Sequence, residues 1–272
     1  MKRQSHRLAV FGQPVAHSLS PRIHGLFGKQ LGIEVDYTAI ESGIDELPDR
    51  LASFRNRGGT GANLTVPLKQ AGLRLCAGID RPARQARAVN TLRLATDGWR
   101  GYNTDGAGLV LDFDRLGIGL AGQRILIVGA GGAVAGILGP LLERQPAAIA
   151  IVNRTAERAE ALADKFAHLG PIAGGGFESD PGSRFDLLIQ STSAGHNSAL
   201  PPLRQRWLAD DAIAYDLNYG PAHEVFARWC RDRELRVHGG FGMLIGQAAL
   251  AFEIWTGQRP AVAPVLEALT PD

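Results

Sequence analysis

Cysteine is nearly absent from this chain of 272 residues, which contains only Cys76 and Cys230. The two are far apart and lie outside any C-x-x-C spacing, so neither a disulfide framework nor a zinc site is indicated and no metal is expected. An excess of charge of one sign is also missing. The 29 Lys and Arg against 27 Asp and Glu leave a formal charge of +2, with the basic residues scattered. That balance argues against a nucleic-acid or membrane partner and favours small-molecule chemistry. No apolar run reaches membrane-spanning length, and the polar stretch from Met1 to Arg7 leads straight into Leu8-Ala9-Val10-Phe11, too short for a signal-peptide core. A reducing cytoplasm is the expected compartment, and a monomer or homodimer the expected state.

What the chain does contain is glycine, 34 residues of it, in an otherwise ordinary composition of 45% hydrophobic and 21% charged residues. Many tight turns or close backbone approaches follow from that. The length suits two domains better than one. Short apolar runs alternate with helical-period stretches, the pattern of βα units stacked into mostly parallel sheets. Strands are expected at Leu8 to Phe11, Asp36 to Ile40 and Ala62 to Val66. Pro21 opens a helix whose Ile23, Leu26, Phe27 and Leu31 share a face and which Gly32 is placed to end. A second helical stretch covers Asp45 to Arg55. From Val89 to Tyr102 the pattern is a hairpin turning at Asp97-Gly98, an antiparallel edge. After a helix from Gly106 to Leu116, the glycine-rich stretch Gly117 to Gly122 resembles a boundary. A second βαβ series then begins at Arg124 to Val128, with later strands at Ala148 to Val152, Asp186 to Gln190, Ala212 to Leu217 and Arg236 to His238. Gly242 to Trp255 is helical and apolar.

The apolar run Ile125-Leu126-Ile127-Val128 enters Gly129-Ala130-Gly131-Gly132-Ala133 and then a helix, the context of a dinucleotide fingerprint. Gly129 allows the tight turn, and Gly131 lets a pyrophosphate approach the amides of the helix N-terminus. The sixth position holds Val134 instead of Gly or Ala, so close helix packing is expected at Ala133 or Gly136. The next strand ends in Asn153-Arg154-Thr155, with Arg158 a helical turn on. A carboxylate there would repel a ribose 2′-phosphate, whereas a guanidinium binds it with two charge-assisted hydrogen bonds, so NADP (NADPH) is favoured over NAD. The blander alternative is that Thr155 caps a helix and Arg154 is solvated.

The first half carries polar clusters beside apolar strands. In Gly61-Ala62-Asn63-Leu64-Thr65-Val66-Pro67-Leu68-Lys69, Asn63 and Thr65 are expected on one face of a strand, and Lys69 on the helix start that follows. Ala88-Val89-Asn90-Thr91 and Asn103-Thr104-Asp105-Gly106 are two more. Taken singly, Lys69 reads as a surface lysine, Asp105 and Ser20 as helix N-caps, and Asn90 as a partner for turn backbone.

Together with Ser18-Leu19-Ser20-Pro21 and Gly242-Met243-Leu244-Ile245-Gly246-Gln247, these motifs, in this order and spacing along nearly the whole chain, closely resemble the shikimate dehydrogenase family. The resemblance implies two α/β domains separated by a cleft: a substrate-binding domain over 1–103 and 239–272, and a Rossmann-type NADP-binding domain over 104–238. It implies that Ser18 and Ser20 bind the substrate carboxylate and that Asn63, Thr65, Lys69, Asn90, Asp105, Tyr219 and Gln247 surround the ring and its hydroxyls. Lys69 and Asp105 would be the catalytic pair. Thr192, Leu217 and Gly240 would join the glycine loop, Asn153, Arg154, Thr155 and Arg158 around the cofactor. Four positions depart from the usual pattern: Gln190 stands where Asn is usual, Leu217 where Met is frequent, Glu224 where Thr is common, and Arg81 where an acidic residue is common. Two rival readings use the same motifs differently, namely a quinate-oxidising enzyme and a non-catalytic protein that senses NADP.

Overall fold

The computed structural model describes residues 5–182 and 184–269. The chain opens with β1 (Ser5–Gly12), α1 (Ser20–Leu31), β2 (Glu34–Glu41), α2 (Leu47–Asn56) and β3 (Gly61–Leu64). A 3-10 turn (Ala71–Leu75) leads to β4 (Cys76–Ile79), α3 (Arg81–Ala86), β5 (Thr91–Ala95), β6 (Gly98–Tyr102) and α4 (Asp105–Leu116). Then come β7 (Arg124–Val128), α5 (Gly132–Glu143), β8 (Ala148–Asn153), α6 (Ala156–Phe166), β9 (Ile172–Gly176), β10 (Phe185–Gln190) and β11 (Leu208–Asp216). The chain closes with α7 (Pro221–Arg231), β12 (Arg236–Gly239), α8 (Phe241–Thr256) and α9 (Ala263–Leu269). Two compact units result: Met1–Gly108 with Leu244–Asp272, and Leu109–Met243. Both divisions fall inside helices, α4 and α8.

The first unit is built on a six-stranded sheet in the order β2-β1-β3-β5-β6-β4. The alternation of side chains along β1 sorts two cores. Ala9 and Phe11 pack with Leu47, Leu51 and Phe54 of α2, while Leu8 faces Ala251 and Trp255 of α8. Helix α1 follows its sequence signals: Pro21 sits in the first turn, Ile23 and Phe27 are buried, and Gly32 ends it at φ 67°. Between these aromatics lies His24, fully buried, its ring stacked on Tyr37 at 4.5 Å. Helices α4 and α8 meet backbone to backbone, since a Cβ on Gly108 would stand 2.5 Å from the Gln247 nitrogen.

The second unit is a wholly parallel sheet, β12-β11-β10-β7-β8-β9. Counted from β7, its strand order is 3-2-1-4-5-6, the doubly wound arrangement whose direction reverses between the first and fourth strands. Ile125 to Val128 of β7 are completely buried, as a central parallel strand requires.

Several local expectations fail, each for a physical reason. Val66-Pro67 is a cis bond, β3 stops at Leu64, and Lys69 lies in a turn before the 3-10 segment, so Thr65 is not on the strand and Lys69 is not on a helix. Ser20 is the first helical residue of α1, because Leu19 at φ −78°, ψ −8° already takes the cap position and is not extended. Asp105 is likewise inside its helix, one residue past the cap position at Thr104, and its amide donates to Asn103 Oδ1 at 3.1 Å. The hairpin loop is Thr96-Asp97, with Gly98 paired to Ala95 on the strand at φ 124°. The hairpin is internal, because β4 pairs in parallel with β6 and takes the edge. Elements β4, α3, β9 and α9 have no expected counterpart. All are short, and β9 includes three glycines that carry no periodic signal.

Burial pushes the His24 pKa down to about 3. Between that value and about 6.5, the unfolded chain binds a proton at His24 that the folded chain refuses. Stability therefore falls on acidification through this window, by up to about 1.4 kcal/mol per pH unit. Urea unfolding at pH 7 and pH 5 should show wild type losing about 2 kcal/mol more than His24→Phe over that interval. Parallel losses in the two proteins would refute the assignment.

Candidate functional site

In the first unit, Lys69, Asn90, Asp105 and Gln247 converge. Lys69 arrives from the turn after β3, Asn90 from the residue before β5, Asp105 from the first residue of α4, and Gln247 from α8. Lys69 Nζ donates to Asp105 Oδ2 at 2.6 Å, with the lysine side chain 27% and the aspartate side chain 9% exposed. Asn90, almost wholly buried, donates to Asp105 Oδ1 at 2.8 Å, to Thr104 Oγ1 at 2.9 Å and to Gln247 Oε1 at 3.3 Å. The Asp105 carboxylate is therefore held on both oxygens while the lysine side chain is only partly buried. That combination suits proton exchange with a bound molecule, since the ammonium is oriented by a fixed partner.

Asn63, buried on β3, donates from Nδ2 to the Asn90 carbonyl and to Thr91 Oγ1, and its Oδ1 accepts from Tyr37 Oη at 2.7 Å. Thr65 is half-buried, its methyl fitted against Gly12, where a Cβ would stand 2.3 Å away. Ser18 is half-buried and Ser20 buried; Ser18 Oγ accepts from the Ser20 amide at 3.3 Å, just before the first turn of α1. Tyr219 belongs to the second unit, 39% exposed with its ring 5.9 Å from Phe241. The structure thus gathers eight of the nine expected substrate residues in one unit and sets the ninth in the other. Thr91, Thr104, Asn103 and Tyr37 join the network without having been assigned to it. The first three stand inside quoted motifs, whereas a single tyrosine on a strand gives no signal of its own.

In the second unit, the turn after β7 closes on Gly129 at φ 114°, a conformation favouring glycine. A Cβ there would also meet the Ser191 carbonyl carbon at 3.3 Å, where the chain leaves β10. This is the switch point of the sheet, beyond the strand C-terminal ends. Gly131 takes the N-cap position of α5, and a Cβ on Gly131 or Gly132 would meet nothing, so the helix N-terminus is open to an anion. Ala130 and Ala133 complete the loop. Val134 is buried in the core beneath β7, so the sixth fingerprint position serves packing directly. At the end of β8, Asn153 Nδ2 donates to the Thr155 carbonyl at 2.9 Å; Thr155 is the N-cap residue of α6, but its side chain makes no cap bond. Arg154 and Arg158 are exposed, and among the described residues neither has an ion-pair partner.

Gln190 explains its own departure. Its Oε1 accepts from the Thr192 amide at 2.6 Å and its Nε2 donates to the Thr192 carbonyl at 3.2 Å, a two-point clasp that fixes the loop after β10. Asn218 donates to the same carbonyl and to buried Asp216. Gly240 lies so close to Leu217 that a Cβ would stand 2.3 Å from its carbonyl oxygen. Glycine at position 240 is thus dictated by space. Among the described residues, no group of three or more His, Cys, Asp or Glu is arranged to hold a metal, and no helix is long and apolar enough to cross a membrane.

Comparison with known proteins matches three family models along the chain. A model of the shikimate dehydrogenase substrate binding domain matches residues 10–92, one of shikimate / quinate 5-dehydrogenase matches 114–197, and one of the shikimate 5′-dehydrogenase C-terminal domain matches 240–270. The chain is 46% identical to the shikimate dehydrogenase (NADP(+)) of Methylococcus capsulatus, over 98% of this chain and 96% of that one. Among solved structures it resembles the Ael1 enzyme of Pseudomonas putida, with a TM-score of 0.90 and 37% identity over 98% and 99% of the two chains. It also resembles shikimate 5-dehydrogenase of Thermus thermophilus, solved with NADP(H) and shikimate, with a TM-score of 0.86 and 35% identity over 97% and 98%. With near-complete coverage on both sides and three family models in chain order, the chain belongs to the shikimate dehydrogenase family.

Proposed function

We propose that this chain catalyses the reversible NADPH-dependent reduction of 3-dehydroshikimate to shikimate, a step of aromatic amino-acid biosynthesis. The observation that carries the reading is the Lys69–Asp105 pair, 2.6 Å apart and fixed by Asn90. In the reducing direction the C3 ketone gains a hydride and becomes an alkoxide. Lys69, as the ammonium, donates the proton that turns it into an alcohol, and its charge stabilises the oxyanion beforehand. In the oxidising direction the neutral amine takes the proton back. Asp105 orients the lysine and accepts from a substrate hydroxyl. Asn63, Thr65, Asn90 and Gln247 supply neutral donors and acceptors for the remaining ring hydroxyls, and Ser18 and Ser20 hold the carboxylate beside the start of α1. Tyr219 completes the set.

NADPH supplies the hydride when bound. The residues of the second unit fit it: the amides after Gly129 and the open start of α5 suit the pyrophosphate, and the exposed pair Arg154 and Arg158 suits a 2′-phosphate. Thr155 and Asn153 shape the β8 end, and Thr192, Leu217 and Gly240 the opposite wall. On this reading the substrate-binding domain, expected at residues 1–103 with 239–272, corresponds to the first compact unit, which runs on to Gly108 and so carries Asp105, and the dinucleotide domain, expected at 104–238, corresponds to the second. The enzyme works as a monomer or homodimer in the cytoplasm, where Cys76 and Cys230 stay as thiols.

Absorbance of reduced nicotinamide, followed with shikimate or quinate and with NADP or NAD, tests the assignment. Turnover mainly with shikimate and NADP is expected; turnover mainly with quinate and NAD, or none at all, would overturn it. Lys69→Ala should lower kcat by roughly 10² to 10⁴ fold while NADPH still binds, and near-normal turnover would remove Lys69 from the chemistry. Arg154→Ala should shrink the preference for NADP over NAD by about tenfold or more. An unchanged ratio would show that another group reads the phosphate.

A further inference from the structure

Behind the Lys69–Asp105 pair lies a run of hydrogen bonds whose direction the structure fixes. Asn63 Nδ2 stands 3.1 Å from the Asn90 carbonyl, a group that only accepts, so the amide nitrogen must face it. This leaves Asn63 Oδ1 toward Tyr37, whose hydroxyl therefore donates, at 2.7 Å. Asn90 is pinned in the same way. Its Oδ1 faces the Thr104 amide at 3.0 Å, a group that only donates, so its nitrogen faces Asp105. Between the two asparagines stands Thr91, fully buried, with Oγ1 3.0 Å from Asn63 Nδ2 and 3.0 Å from Asn90 Oδ1. Its oxygen accepts from Asn63, and its own proton goes to Asn90.

Every donor in the sequence Tyr37, Asn63, Thr91, Asn90 thus points the same way, toward the Asp105 carboxylate. Hydrogen bonds arranged head to tail polarise one another, and burial strengthens the effect. The residues come from three strands and their ends, β2, β3 and β5, with Asn63 and Thr91 directly paired across the β3–β5 ladder. Neither Tyr37 nor Thr91 touches Lys69 or Asp105 in the network; they reach that pair only through the asparagines.

We infer that Thr91 and Tyr37 are positioning residues, which orient and polarise the Asn90 amide so that Asp105 is fixed for its work with Lys69. The inference rests on the activity proposed above. Thr91 is the link that turns two separately pinned amides into one chain. Tyr37 is its head.

The test is a double-mutant cycle on shikimate oxidation with the full-length chain. Thr91→Val keeps the volume and removes the hydroxyl; it should lower kcat by about tenfold, with KM for shikimate moving less than about threefold. Thr91→Ser, which restores the hydroxyl, should return kcat to within about twofold of wild type. Tyr37→Phe should lower kcat by a smaller factor. Added to Thr91→Val, it should cost nothing further, because the chain is already cut. Multiplying losses in the double variant, a wild-type kcat in Thr91→Val, or a Thr91→Ser protein as slow as Thr91→Val would each overturn the inference. If Thr91→Val fails to fold, Tyr37→Phe paired with Thr91→Ser decides by itself, since an unchanged kcat in folded Tyr37→Phe refutes a role for the head of the chain and a lowered one supports it. A wild-type chain silent with shikimate would sink the functional reading and this inference with it. An active wild type with independent losses sinks the inference alone.

Discussion

One buried amide, that of Asn90, holds the first unit's site together. Its nitrogen meets a carboxylate on α4, a hydroxyl beside that helix and an amide on α8, and its oxygen takes a backbone N–H and the Thr91 hydroxyl. A side chain so placed makes every bond it can, so it adds no unsatisfied polar group to the interior while tying distant stretches of sequence to one point. The lysine and aspartate are separated by 36 residues, and the glutamine follows more than 140 residues after either. Their common reference is this one group, which is why the geometry does not depend on any single loop.

The second unit meets a different constraint. A parallel sheet with strand order 3-2-1-4-5-6 leaves an opening where the chain changes direction, and the ends of β7 and β10 border it. Glycine at 129 is required by its backbone angle and by the approach of Ser191, while the absence of side chains at 131 and 132 keeps the helix start clear. Here the site is made chiefly of backbone, and side chains such as Gln190 serve to keep that backbone in place.

Much of this was legible in the residues. Periodicity located the strands that bury a face, and the polar motifs beside them named the side chains that the fold gathers. The failures share a cause. Asp105 and Ser20 carry the chemistry of helix caps, yet each is the first residue inside its helix, with Thr104 and Leu19 in the cap positions before them. Thr65 and Lys69 follow an apolar strand, but β3 ends at Leu64 and the chain turns over residues 66–70, which no composition rule announces. Strands β4 and β9 owe their place to neighbours already in a sheet. Tyr37 gives no signal of its own in the sequence, because its importance lies in a hydroxyl whose partner is on another strand.

The contact between α4 and α8 bears on how such a site can change over evolutionary time. With Gly108 laid against the backbone of Gln247, and Gly246 against the Gly108 carbonyl, no spare volume separates the two helices. The usual slow route to new specificity, a sliding of helices as small residues grow or shrink, is closed at this crossing. Diversification toward ligands with another hydroxyl pattern has to proceed by exchanging side chains at the helix tips, in discrete steps, on a frame that stays where it is.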